Sequence, residues 1–180
     1  MTKIAVLNEV WNSFIQNWCE IAEKKGFPKI ELDPQWPSPC ENTSDGVTTW
    51  KPVAHKDELT FDNIEAAIDI SLNEEYTNFF CMYYSDNLNA AHKGDSLQFL
   101  QAWSKADFER LQQNLIGHLM MKSKLKQSPT LFFALTDEDD LNLVVENETG
   151  EVWLEYVGQE PHTKVSDSLA NFISECTPVL

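Results

Sequence analysis

Carboxylates are the side chains this sequence groups most closely. Asp62, Glu65 and Asp69 recur at i, i+3 and i+7, the spacing that lines up one face of a helix. Asp137, Glu138, Asp139 and Asp140 follow one another in a single acidic turn, and Asp86 and Asp95 flank a hairpin. Grouped carboxylates can hold a hard cation or attract a basic partner. The acidic turn fails the calcium-loop pattern, because Leu141 takes the fifth position and no glycine stands at the sixth. Each cluster taken alone is ordinary solvated surface. Their joint presence beside so few bases is what points to a partner.

Other chemistry is sparse. His55, His92, His118 and His162 show no two-histidine zinc spacing, and His118 falls inside a helix beside its apolar stripe, as a structural histidine would. Cys40, in a proline-rich loop, could serve as a nucleophile only if a histidine folds close to it. Nothing local favours that pairing. The sequence has no G-x-S-x-G, P-loop or G-x-G-x-x-G, and six glycines leave little material for cradling phosphates. Neither catalytic residues nor a cofactor or metal are expected, and the weight moves toward a binding protein.

Thirteen basic against twenty-nine acidic residues give a net charge of −16 over 180 residues. Nucleic acid and anionic lipid would repel such a chain. A basic protein partner suits its field. Hydrophobic residues at 42% and aromatics at 11% support one packed domain rather than disorder. Cys19, Cys40, Cys81 and Cys176 are scattered without C-x-x-C spacing and fit free thiols in a reducing cytosol. No signal peptide is evident, and no apolar run approaches the roughly 18 residues of a membrane span. A soluble, cytoplasmic, monomeric protein is expected.

The elements that must position these groups follow from spacing. The clearest succession runs from Leu97 to Leu135. Ser104 and Asp107 form a capping box, so a helix begins at Lys105, and Phe108, Leu111, Leu115 and Leu119 give it a buried stripe. Lys122, Lys124 and Lys126 suit the negative end of its dipole, Ser128-Pro129 stops it, and Thr130 to Leu135 forms a buried strand.

Upstream, Ile4, Leu7, Trp11, Phe14, Trp18 and Ile21 define a long first helix that ends at Lys24-Lys25-Gly26. Residues 33–40 read as an extended loop anchored by Trp36, and Thr48, Trp50 and Val53 alternate as a short strand that Pro52 marks as an edge. A second helix is expected over 62–70, capped by Asp62, with Ile64, Ala67 and Ile68 inward. Residues 73–83 permit a helix or, from their aromatic density, a strand. Hairpins are expected over 88–102 and 141–157, and a last helix opens at Ser166. Terminal helices around hairpin-connected strands specify an α+β domain, with a mixed, mostly antiparallel sheet packed with helices.

One block is more specific. Leu100-Gln101-Ala102-Trp103-Ser104, Asp107-Phe108-Glu109-Arg110, Asn114-Leu115-Ile116-Gly117-His118-Leu119, Leu125-Lys126 and Pro129-Thr130-Leu131-Phe132 resemble the Syd family of SecY-interacting proteins. Pro37-Ser38-Pro39-Cys40, Trp50 with Pro52, Gly94-Asp95 and Gly150-Glu151-Val152 extend the resemblance over nearly the whole chain. It implies a fold of the superfamily that includes Smi1/Knr4-like and immunity proteins. It also implies a non-enzymatic protein, peripheral on the cytoplasmic side of the inner membrane, whose acidic concave surface meets SecY's cytosolic loops and which regulates or monitors the translocon. The alternative is an immunity-type regulator of a basic soluble toxin or enzyme. Spacing and charge nominate Asp62, Glu65, Asp69, Asp86, Asp95, Asp137, Glu138, Asp139 and Asp140 as partner-binding residues; the resemblance assigns none of them individually.

Overall fold

In a computed structural model covering residues 1–180, the chain opens with α1, Lys3–Lys25. The Thr2 hydroxyl caps it by accepting the Ala5 N–H at 3.2 Å, and Gly26, at φ +97°, ends it by donating its N–H to the Ala22 carbonyl. The expected stripe is the buried one: Leu7, Trp11, Phe14 and Trp18 lie in the core with Ile15 and Ala22. There follow β1 (Lys29–Ile30), β2 (Glu41–Ser44), β3 (Val47–Trp50) and β4 (Val53–Ala54), then α2 (Asp62–Ile68) and α3 (Glu74–Cys81). The second half carries β5 (Tyr83–Tyr84), β6 (Leu88–His92), β7 (Asp95–Phe99), α4 (Lys105–Lys124), β8 (Thr130–Thr136), β9 (Leu141–Glu146), β10 (Val152–Tyr156), β11 (Thr163–Ser166), α5 (Leu169–Ser174) and β12 (Cys176–Pro178).

Seven strands form the main sheet in the order β11-β10-β9-β8-β7-β6-β12, antiparallel at every pairing. The one parallel contact is the isolated bridge between Tyr84 and Ala102. Five helices complete an α+β architecture. Successive residues of a strand point to opposite faces, and β8 shows what this does. Phe133 meets Phe79 and Phe172, on the side covered by α1, α3 and α5. Thr130 and Phe132 meet His118 of α4 on the other side. Trp11, Phe14, Phe79, Phe99, Phe133 and Phe172 pack against one another at the centre, mostly edge to face or tilted, within a contiguous core of 34 buried residues.

The expected hairpins form. Lys93 (φ +51°) and Gly94 (φ +94°) make the two-residue turn between β6 and β7, the left-handed pair that the twist of a tight hairpin requires. Residues 74–81 take the helical alternative because the Asn73 side chain caps it by accepting the Tyr76 N–H. Tyr83 falls in β5 beyond its end.

Several expectations are corrected. The second helix stops at Ile68, and Asp69 turns left-handed at φ +54°. Asp62 is its first residue rather than its cap; Phe61 holds that position without a side-chain bond. Ile64 is buried, but Ala67 is exposed. Thr48 and Trp50 belong to β3, the central strand of a separate sheet ordered β1-β3-β2, whereas Val53 pairs with Tyr84 in a two-stranded ribbon. Pro52 breaks the strand between them rather than marking an edge. The last helix begins at Leu169 under a Ser168 cap, because residues 163–166 are spent as β11. The strands β1, β2, β11 and β12 run two to four residues without a strong apolar alternation, so nothing in the pattern announces them.

Candidate functional site

The start of α4 organises an acidic groove. The Ser104 hydroxyl accepts the Asp107 N–H at 3.2 Å, which begins the helix as a capping box would. The reciprocal bond reaches one residue further back than expected: Asp107 Oδ2 accepts the Trp103 N–H at 2.8 Å. This leaves Oδ1 facing Arg110 one turn on, at 2.8 Å from Nη2. The proline-rich segment is fastened against this helix start. The Ser38 hydroxyl donates to the Trp103 carbonyl and accepts the Cys40 N–H, and Trp103 meets Trp50 edge to face at 6.0 Å. An Asx turn, in which Asp33 Oδ1 accepts the Gln35 N–H, brings Trp36 over the Arg110 guanidinium at 5.1 Å.

Between these parts lies a groove of about 440 Å³. The segment from β1 to β2 contributes Glu31, Asp33, Trp36 and Glu41 to it. The approach to β6 contributes Asp86 and Asn87, and α4 contributes Asp107 and Arg110. Five carboxylates thus share the groove with one cation. Glu31, Asp33, Glu41 and Asp86 are not ion-paired. Gln101 lines it too; this residue is only 6% exposed, its amide N–H donates to the Leu100 carbonyl, and its Oε1 has no hydrogen-bond partner. Such an arrangement attracts cations and N–H donors and offers a flat indole face beside them.

The nine carboxylates nominated by spacing fall in three places. Asp86 alone lines the groove. Asp95, Asp137 and Glu138 rim a second pocket of about 360 Å³ whose lining includes Leu97, Leu143 and Phe172, and Asp139 and Asp140 stand exposed in the adjoining turn. Glu138 accepts a hydrogen bond from the Tyr156 hydroxyl. Asp62 and Glu65 border a shallow hollow beside Thr77 and Asn78, where Glu65 Oε1 also accepts the Leu72 N–H at 2.8 Å. Asp69 lies beyond the helix end.

Spacing missed Glu31, Asp33, Glu41 and Asp107, because the fold gathers them from segments far apart in the chain. The available signal was a tryptophan in a proline-rich loop with acids on both sides.

Cys40 does not look like a nucleophile. It is 2% exposed, and burial pushes its thiol up to about 11, the direction opposite to activation. No group of three or more His, Cys, Asp or Glu side chains is placed to hold a metal ion. No helix is long and apolar enough to cross a membrane.

The family model described as Syd protein (SUKH-2) matches residues 5–178. Protein Syd of Alteromonas mediterranea is 47% identical over 171 residues, covering 93% of this chain and 94% of that protein. Protein Syd of Colwellia psychrerythraea is 47% identical over 162 residues, with 84% and 81% covered. Protein Syd of Pseudoalteromonas atlantica is 46% identical over 154 residues, with 83% of each covered.

Proposed function

The chain belongs to the Syd (SUKH-2) family, and from that premise we propose that it is a non-enzymatic docking protein whose acidic surface takes basic cytosolic loops of the SecY translocon. The observation that carries this reading is the groove beside α4, where four unpaired carboxylates and Asp107 face one arginine. Cytoplasmic loops of membrane proteins carry excess Lys and Arg, while the lipid around them is anionic. A protein of charge −16 is drawn to the loops and repelled by the bilayer. Its place at the inner membrane, peripheral on the cytoplasmic side, then depends on the protein partner rather than on lipid. Asp62, Glu65, Asp69, Asp95, Asp137, Glu138, Asp139 and Asp140 enlarge the negative field that steers the encounter. Bound as a monomer to loops of the translocon, the protein is positioned to regulate or monitor its assembly.

Co-sedimentation with inverted inner-membrane vesicles, with and without overproduced SecY and across a salt series, tests this. Binding should rise with SecY and fall with salt. Reversing Glu31, Glu41 and Asp86 together to Lys should weaken it by at least about tenfold. Each substitution should change stability by no more than about 0.5 kcal/mol. Glu65→Lys with Asp69→Lys, and Asp137→Lys with Glu138→Lys, ask whether the other two acidic places touch the partner; unchanged binding removes that place from the site. Binding indifferent to SecY would reject the translocon. Recovery of a stoichiometric soluble basic protein from membrane-free cytosol would favour the immunity-type alternative.

A further inference from the structure

Arg110 is the only arginine in the chain, and it stands inside the most acidic groove. Its side chain is 64% exposed, yet it is not directed at random: the guanidinium carbon lies 5.1 Å from the Trp36 ring centroid, and Nη2 lies 2.8 Å from Asp107 Oδ1. Asp107 is only 14% exposed, its Oδ2 is committed to the Trp103 N–H, and Oδ1 has Arg110 as its ion-pair partner. An indole face beside a fixed carboxylate oxygen is the arrangement that recognises a planar guanidinium. Gln101, in the same lining, holds a buried Oε1 that has no hydrogen-bond partner, and the groove's five carboxylates are acceptors only.

We propose that Arg110 is a stand-in for the partner's arginine: it holds the Trp36 face and Asp107 Oδ1 in the free protein and yields them when a basic segment enters, so that Trp36 and Asp107 form the groove's guanidinium subsite. The inference rests on reading the groove as the docking surface for basic segments. Displacement is easy, because the guanidinium itself is mostly exposed, and an i,i+3 ion pair and a cation–π contact made by such a group each shift an equilibrium by only a few-fold. Arg110 therefore screens the subsite against weak cations without closing it to a multivalent partner.

Calorimetric titration of the full chain with a capped Gly-Arg repeat peptide carrying four arginines tests this. Arg110→Gln should tighten binding by roughly three- to tenfold. Lys105→Gln, which removes one positive charge from the same helix outside the slot, measures the purely electrostatic gain and should give less. The excess of Arg110→Gln over Lys105→Gln should disappear in a Trp36→Leu background; Asp107→Asn provides a second route to the same slot if Trp36→Leu perturbs the loop. An Arg110→Gln protein that binds no better than Lys105→Gln, or binds more weakly than wild type, overturns the subsite while leaving the docking reading intact. Persistence of the excess without Trp36 does the same. A wild-type protein that takes up no peptide even at low salt overturns the docking reading and the subsite with it.

Discussion

At the scale of single residues, the most consequential group lies under α4 rather than in the groove. Lys122, 1% exposed, donates to Glu155 Oε2 and to the Gln159 carbonyl, both at 2.9 Å, and Thr130 donates to Glu155 as well. The ion pair is satisfied by hydrogen bonds and ties the end of the helix to the sheet. Lys122→Met leaves Glu155 buried and unpaired, and should cost about 3–5 kcal/mol in a urea melt. Replacing Lys122 and Glu155 together with apolar residues should cost much less. His118, beside this pair, has its pKa lowered to about 4, first by burial and then by the Lys122 charge. In the unfolded chain it titrates near 6.5, so between about 6.5 and 4 the unfolded state binds the extra proton. Stability should therefore fall as the pH drops through that window, by about 3 kcal/mol in all, and His118→Gln should remove that contribution. The structural role of His118 was legible from its place beside the apolar stripe. The burial of Lys122 was not, because a lysine in a last helical turn reads as a solvated complement to the dipole, and its partner lies two strands away in sequence.

Among the elements, those whose signal is local were legible: α1 and α4 by periodicity and caps, the β6-β7 turn by Lys93-Gly94, the β8 strand by its apolar run. Of the small sheet only β3 was, from the alternation at Thr48 and Trp50; β1, β2 and β11 were not, since their order comes from tertiary contacts alone. This matters for function, because the groove exists only where the proline segment is held against the start of α4. Ser38→Ala removes the tie to the Trp103 carbonyl. It should cost about 1 kcal/mol. It should also accelerate amide exchange in the β1-β3-β2 sheet while leaving β8 and β9 protected, as hydrogen–deuterium exchange would report. Gly150 illustrates a tighter constraint between elements. At φ +77° it suits only glycine well, and an added Cβ would meet the Asn73 side chain at 3.1 Å, close to the start of α3.

For the whole molecule, net charge was the most informative quantity in the sequence, and it indicated the kind of partner without locating the surface. The groove carboxylates are dispersed between Glu31 and Asp107, so only folding assembles them. The same charge predicts opposite responses to salt. Raising ionic strength from 0.01 to 0.15 M shortens the screening length from about 30 to 8 Å. That should raise the melting temperature by relieving self-repulsion, while the affinity for basic loops falls. A protein whose binding and stability move together with salt would contradict this field argument. The packing of α1 against α5 and β12 has a different consequence, which concerns time. The apolar stripe of α1 leaves the ribosome well before α5 and β12, which complete the cover that α3 begins. At about 5–20 residues per second, roughly eight to thirty seconds pass before that cover is complete. Helper proteins that shield nascent apolar helices should therefore engage α1 as it emerges and release it only after α5 and β12 have been made.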